Sequence, residues 1–251
     1  MPSSKKSNPN EQYPIVKLLP NLVTIVGLCF GLFALKFAIL ERWELAVGLI
    51  IIATFIDGID GRVARMLNAS SDFGAQLDSL SDFFNFGVAP ALVLYFWIGH
   101  EIKGLGWAVA LFFIISQALR LARFNTSLHD DNHNDNYFYG IPAPCGAGLS
   151  LLPMIITFFF NDHLDGQALF EITPMKVIIY MAIIGILMVS SVPTISVKKI
   201  IIQKRFASLF LAFGGLFIIA LVTEPWITLP LIGIFYLATI PFSIFYYYRK
   251  A

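Results

Sequence analysis

Four aspartates, Asp57, Asp60, Asp78 and Asp82, lie at spacings of three and four residues within two otherwise apolar stretches of the chain. A carboxylate near the centre of a membrane helix costs roughly 2.5–3.5 kcal/mol to insert, and less near the interface, so acids at such depth mark a site with a partner. In Ile56-Asp57-Gly58-Ile59-Asp60-Gly61-Arg62-Val63-Ala64-Arg65, the residues Asp57, Asp60, Gly61, Ala64 and Arg65 fall on one stripe of a helix. Further on, Gly74, Asp78 and Asp82 recur every fourth residue and share a second stripe. Asn68, Ser70 and Ser71, between the two stretches, supply turn and cap chemistry. Two antiparallel helices can thus bring the four carboxylates together, where they repel too strongly to stay ionised unaided. A structural ion-pair cluster with Arg62 and Arg65 leaves that charge unbalanced. All the donors are oxygens, with no His or Cys among them, which favours one or two hard divalent cations: Mg²⁺, Mn²⁺ or Ca²⁺. Gly61 and Gly74 either leave backbone open to a phosphate or let the helices pack closely.

The elements that must position these acids belong in a bilayer. Of 251 residues, 57% are hydrophobic and 13% charged, against about 25% charged in soluble domains; mean hydropathy is +0.76. A net charge of +1 offers no excess to draw a nucleic acid. Cys29 and Cys145 stand far apart in apolar stretches and read as small core residues. The apolar run from Leu18 to Leu40 is longer than the h-region of a cleavable signal and reads as an uncleaved first span.

The expected fold is an all-α polytopic membrane protein. Stretches of about 20 apolar residues place eight spans at 19–40, 44–66, 73–98, 105–126, 140–160, 175–194, 206–222 and 225–247. The chain divides into an N-terminal cytoplasmic segment (1–17), a membrane core (18–205) and a C-terminal transmembrane hairpin (206–251). With the N-terminus inside, thirteen Lys and Arg collect on the inner side and four on the outer. This asymmetry puts both termini and the acids at the cytoplasmic face.

Several flanking features admit two readings. Asn21 and Thr24, in Pro20-Asn21-Leu22-Val23-Thr24, either bind a cytosine or ribose or form a helix cap. Arg120 and Arg123, in Leu119-Arg120-Leu121-Ala122-Arg123-Phe124-Asn125, either bind substrate or anchor the span. The Gly- and Pro-rich run Tyr139 to Gly148 either shapes a lipid or acceptor groove or packs small residues closely. The acids and histidines of His129 to Asn136 read as a solvated loop, Lys198 to Arg205 as a headgroup-facing segment, and Tyr246 to Lys250 as an interfacial anchor.

The string Asp57-x-x-Asp60-Gly61-x-x-Ala64-Arg65-x8-Gly74-x3-Asp78-x3-Asp82 resembles the signature of the CDP-alcohol phosphotransferases, with no departure at a fixed position. The resemblance implies six core spans, a homodimer and a cytoplasm-facing metal site that holds the CDP diphosphate; two further spans form the C-terminal hairpin. Asp57, Asp60 and Asp78, with Asp82 also in reach, are the implied metal ligands. Asp57, Gly61, Ala64 and Arg65, with Asn21 and Thr24, are set against the CDP moiety. Asp82, one turn beyond Asp78, is the expected general base for the acceptor hydroxyl.

The segments Leu119 to Asn125, Tyr139 to Gly148 and Ser191 to Lys199 also resemble the membrane-integral bacterial phosphatidylserine synthases of that family. This implies CDP-diacylglycerol and L-serine as substrates, within the lipids of a bacterial inner membrane. Arg120 and Arg123 are then expected to hold the serine carboxylate, because a guanidinium fork binds a carboxylate bidentately. Glycerol 3-phosphate, choline or inositol as acceptor are the alternatives within the class. A cation carrier that transports through intramembrane aspartates is the alternative outside it.

Overall fold

The computed structural model describes residues 18–67, 69, 71–127, 137–163, 172–195 and 207–250. The N-terminal segment, Asn68, Ser70, the loop His129 to Asn136, Asp165 and the basic run Lys198 to Arg205 lie outside the described residues. The helical segments are α1 (Leu19–Ile39), α2 (Trp43–Met66), α3 (Asp72–Phe83) and α4 (Ala89–Trp97), followed by α5 (Lys103–Ser127), α6 (Ala143–Ser150), α7 (Leu152–His163), α8 (Pro174–Val189), α9 (Ala207–Thr223) and α10 (Pro225–Lys250). Two short strands, β1 (Tyr137–Tyr139) and β2 (Pro193–Ile195), pair antiparallel with Phe138 opposite Thr194.

Among the described residues, eight helical rods fall in the eight expected stretches once α3 is read through to α4 and α6 with α7. By length and composition alone, Leu19–Ile39, Asp72–Trp97, Gly99–Thr126 and Pro225–Phe245 suffice to cross a bilayer, and the bent pair α6–α7 makes a fifth. Charges in the last turns of α2, and the shortness of α8 and α9, keep those three below the same measure.

Helix α1 is apolar all round, and small residues decide which face turns inward. Thr24, Gly27, Gly31, Ala34 and Ala38 form its buried stripe, against which Ala46, Val47, Ile50 and Ala53 of α2 pack. Leu22, Ile25, Leu32 and Phe33 point outward. Cys29, expected in the core, is exposed because position 29 lies off that stripe.

Between α3 and α4 the rod widens into one π-helical turn, Phe84–Val88, of the kind often found near functional sites. This turn carries Asn85 into the space left by Gly31 of α1, where a Cβ would collide with the Asn85 amide oxygen. It also sets Gly87 against Gln117 of α5.

The fifth rod is broken. α6 and α7 meet at 46°, with Pro153 in the first turn of α7. A proline has no N–H to offer the carbonyl four residues back, here that of Leu149. The Tyr180 hydroxyl on α8 donates to that carbonyl instead, at 3.0 Å, which removes the cost of the break. The sixth helix ends at Val189, short of the expected 194, because the chain turns extended at Ser190 (ψ 159) and enters β2 at Pro193.

The two strands close the end of the bundle where α5 and α8 finish. Gly140 follows β1 at φ +83, and its N–H donates to the Val192 carbonyl at 2.8 Å. A Cβ there would lie 2.6 Å from the Met188 carbonyl oxygen and 2.9 Å from that of Ser190. Only glycine suits this turn, on both conformational and steric grounds.

The C-terminal pair forms a hairpin about Glu224, but α10 is not detached from the core. It packs on α7 and beside β2, with Gly233 against Leu152 and Ile240 and Ser243 buried. Most large side chains of α9, from Leu209 to Val222, face outward.

Gly140→Ala should cost about 1–3 kcal/mol through strain at a positive φ against rigid backbone. Thermal unfolding in detergent should show a Tm several degrees lower; an unchanged Tm would contradict the steric argument.

Candidate active site

Four helix ends and one turn meet at a single end of the bundle: the start of α1, the end of α2, the start of α3, the end of α5, and the turn before α6. Ser71 caps α3, its hydroxyl accepting the Gly74 N–H at 3.0 Å. That cap starts the helix at Asp72, six residues ahead of Asp78. Asn125 of α5 donates through Nδ2 to the Ser79 hydroxyl at 3.1 Å, tying α5 to the same turn of α3.

Carboxylate oxygens of Asp57, Asp60 and Asp78 all lie within 4.8 Å of one another. Asp60 is buried, at 4% exposure. At about 4 Å and an effective dielectric of about 20, each pair of such charges repels by roughly 4 kcal/mol. Among the described residues, neither Arg62 nor Arg65 forms an ion pair with any of the acids, and both arginines are exposed. The donor set is therefore three hard oxygens with no protein cation between them, which fits a divalent ion of the Mg²⁺ or Mn²⁺ type. The alternative of an ion-pair cluster with Arg62 and Arg65 does not match these contacts.

Thr24 has a further contact beside the place expected of it. Its hydroxyl lies 2.8 Å from Asp60 Oδ2 and 3.1 Å from the Pro20 carbonyl oxygen, donating to these acceptors. It holds a carboxylate across the α1–α2 interface and, at 6% exposure, is itself buried. No side chain caps α1, so the capping alternative is absent there.

Beside the acids is an open cleft lined by Asn21, Thr24, Gly61, Ala64, Gly74 and Asp78, among others. Four of the residues expected at the CDP moiety thus share one wall with two of the acids. Gly61 leaves open space, since a Cβ there meets nothing within 4 Å. Gly74 instead permits close packing, since a Cβ would lie 2.8 Å from the Asn21 amide oxygen. Arg65, at the last turn of α2, is exposed and does not line the cleft.

Asp82 stands one turn deeper than the three-carboxylate cluster. Its side chain adjoins Asp57 and lies in the field of Asp78 and of the Arg120 guanidinium. One of its oxygens, Oδ1, is buried with no hydrogen-bond partner. Asp82 thus lies in the field of both the neighbouring acids and a cation.

The two arginines of α5 separate in role. Arg123 donates through its terminal nitrogens to the carbonyls of Val189 (3.0 Å) and Ser190 (3.2 Å), satisfying the open carbonyls at the end of α8. Arg120 donates through Nε to the Ile141 carbonyl at 2.8 Å, and its terminal nitrogens form no hydrogen bond among the described residues. The turn at Gly140 thereby sets the carbonyl that orients Arg120.

Residues 17–226 match the family model described as CDP-alcohol phosphatidyltransferase. The chain belongs to this family. It is 36% identical over 236 residues to the CDP-diacylglycerol–serine O-phosphatidyltransferase of Mycobacterium tuberculosis, covering 91% of this chain and 79% of the relative. The enzyme of the same name from Helicobacter pylori is 36% identical over 200 residues, covering 79% and 81%. That of Methanocaldococcus jannaschii is 34% identical over 199 residues, covering 79% and 84%. Members of the family depend on divalent metal, in keeping with the acidic cluster. Family membership and the apolar rods together make this an integral membrane enzyme.

Sequence reasoning did not single out Asn85, Gln117 or Tyr236, each of which carries a buried polar atom without a partner. A polar amide in an apolar helix was the available signal for the first two. Tyr236 carried none, since aromatic residues are ordinary in membrane helices.

Asp60→Asn should weaken metal dependence and nucleotide binding together, whereas Asp82→Asn should remove turnover and leave CDP-lipid binding largely intact. Thr24→Val should raise the metal concentration for half-maximal activity by about 10-fold or more, as removal of a ligand's hydrogen-bond partner does. Near wild-type turnover by Asp82→Asn, or an unchanged metal requirement in Thr24→Val, would contradict these placements.

Proposed function

We propose that the chain transfers the phosphatidyl group of CDP-diacylglycerol to L-serine, releasing CMP and forming phosphatidylserine. The observation that carries this reading is the three-carboxylate cluster with Asp82 one helical turn beyond it, adjoining Asp57 and in the field of Arg120. It supplies a proton acceptor beside a cation that suits the carboxylate of an amino acid. The relatives named as serine transferases support the same acceptor.

In this reading Asn21, Gly61 and Ala64 form the wall against which the CDP moiety lies, with Thr24 keeping Asp60 in place. Asp57, Asp60 and Asp78 would hold a divalent ion, Mg²⁺ or Mn²⁺, which would neutralise the diphosphate and stabilise charge on the departing CMP. Arg120 orients serine through its carboxylate. Asp82 then takes the proton of the serine hydroxyl at its unpartnered oxygen. The serine oxygen forms its bond to the phosphatidyl phosphorus as the bond from that phosphorus to the CMP oxygen breaks. Arg123 has a supporting part, fixing the end of α8.

The asymmetry of Lys and Arg supports a cytoplasmic position for this site and both termini, in a bacterial inner membrane like that of the bacterial relatives. Asp60 and Asp78 each lie six residues from the end of a rod, toward one face of the bundle, which does not favour a cation carrier working at the bilayer midplane. A homodimer surrounded by membrane lipid belongs to the same proposal, and light scattering of the detergent-solubilised protein checks its mass.

The reaction is tested with inverted inner-membrane vesicles, cytoplasmic face outward, given CDP-diacylglycerol and each acceptor alcohol in turn. Serine added outside should support CMP release and yield phosphatidylserine, and Arg120→Ala should raise the serine KM at least 10-fold. Phosphatidylglycerol phosphate as the product would refute serine as the acceptor, and activity only in right-side-out vesicles would refute the orientation.

A further inference from the structure

The C-terminal helix places one polar atom where the proposed chemistry can use it. Tyr236, in the middle of α10, has its ring packed partly buried against the core, and its hydroxyl is fully buried, making no hydrogen bond of good geometry and having only the weakly accepting Cys145 thiol beside it. A buried hydroxyl so poorly satisfied gains from a better acceptor that arrives.

Its surroundings indicate what kind. The hydroxyl stands beside the Cys145 thiol of α6 and in the field of Arg120, and Arg120 is in turn in the field of Asp82. The neighbourhood therefore has an unpartnered carboxylate oxygen on Asp82, a guanidinium on Arg120 whose field reaches both, and an O–H donor on Tyr236 with only a thiol beside it. A proton acceptor, a cation and a neutral donor together suit a small alcohol whose other end is an anion.

The position of α10 is also fixed. Gly233, one turn before Tyr236, lets the helix close on Leu152, where a Cβ would lie 2.9 Å from a Leu152 methyl. Ile240 and Ser243 continue the same buried face. All but the first two residues of this helix lie beyond those that match the family model, which end at 226.

We propose that Tyr236 is a specificity-determining residue of the acceptor subsite, its hydroxyl donating with Arg120 to the carboxylate of the acceptor. The claim rests on the serine reading above and makes α10 part of the acceptor pocket.

The test is Tyr236→Phe in the full-length enzyme, which removes the hydroxyl and keeps the ring. With CDP-diacylglycerol saturating, the serine KM should rise about 10-fold while kcat stays within about twofold. The KM for CDP-diacylglycerol should not change, and Tm should hold or rise, since a poorly satisfied hydroxyl has been removed. An unchanged serine KM overturns the proposal. So does a fall in Tm with kcat and both KM values worsening together, which is the pattern of a structural role. If the wild-type protein releases CMP only with another acceptor, the serine reading fails separately. The effect of Tyr236→Phe on the KM for that acceptor then decides the place of Tyr236.

Discussion

Repulsion among carboxylates held close together in an apolar bundle is the constraint on which the rest of this structure depends. Asp57, Asp60 and Asp78 approach within 4.8 Å, with no arginine drawn in to balance them among the described residues. Helix packing must therefore oppose a cost of several kcal/mol until a cation relieves it. The small-residue stripe of α1 allows α2 to approach closely, the Thr24 hydroxyl fixes Asp60, and the Ser71 cap starts α3 at the right turn. Each of these contacts lies at the end of the bundle where the charges gather.

A second layer of contacts governs the cation that faces Asp82. Arg120 is oriented by the Ile141 carbonyl, and that carbonyl is set by the left-handed turn at Gly140. Arg123, Val189 and Ser190 lock the end of α8 to the end of α5. The Gly- and Pro-rich run before α6 is thus best understood through its backbone: a turn that only glycine makes, and carbonyls presented to arginines. The break at Pro153 follows the same logic, since the Leu149 carbonyl it leaves open is taken by Tyr180. Prolines and glycines in these rods are tolerated where a neighbouring side chain or strand takes up the freed backbone group.

Much of this was legible in the sequence, for definite physical reasons. The acids stood out because charge is rare in this chain and because spacings of three and four residues put them on helix faces. The eight rods were legible because apolar length is a strong signal. The role of Thr24 was not, because a threonine at a helix start serves equally as a cap, a ligand for a nucleotide or a partner for a carboxylate; only the packing of α1 on α2 decides. Arg120 and Arg123 looked equivalent by spacing, and their separation depends on which carbonyls the folded chain brings near. The exposure of Cys29 and the placing of Tyr236 likewise follow from helix rotation, which apolar periodicity does not fix in a helix hydrophobic on every side.

Asp57, Asp60 and Asp78 are arranged to hold a divalent ion, and anomalous scattering from crystals grown with Mn²⁺ shows whether they do. An anomalous peak should appear among those three side chains, at about 2.0–2.2 Å from a carboxylate oxygen of each, as for hard ions with oxygen ligands, and it should be lost in Asp60→Asn. A peak elsewhere with those carboxylates unengaged, or its persistence at full strength in Asp60→Asn, would mean that these acids do not form the metal site.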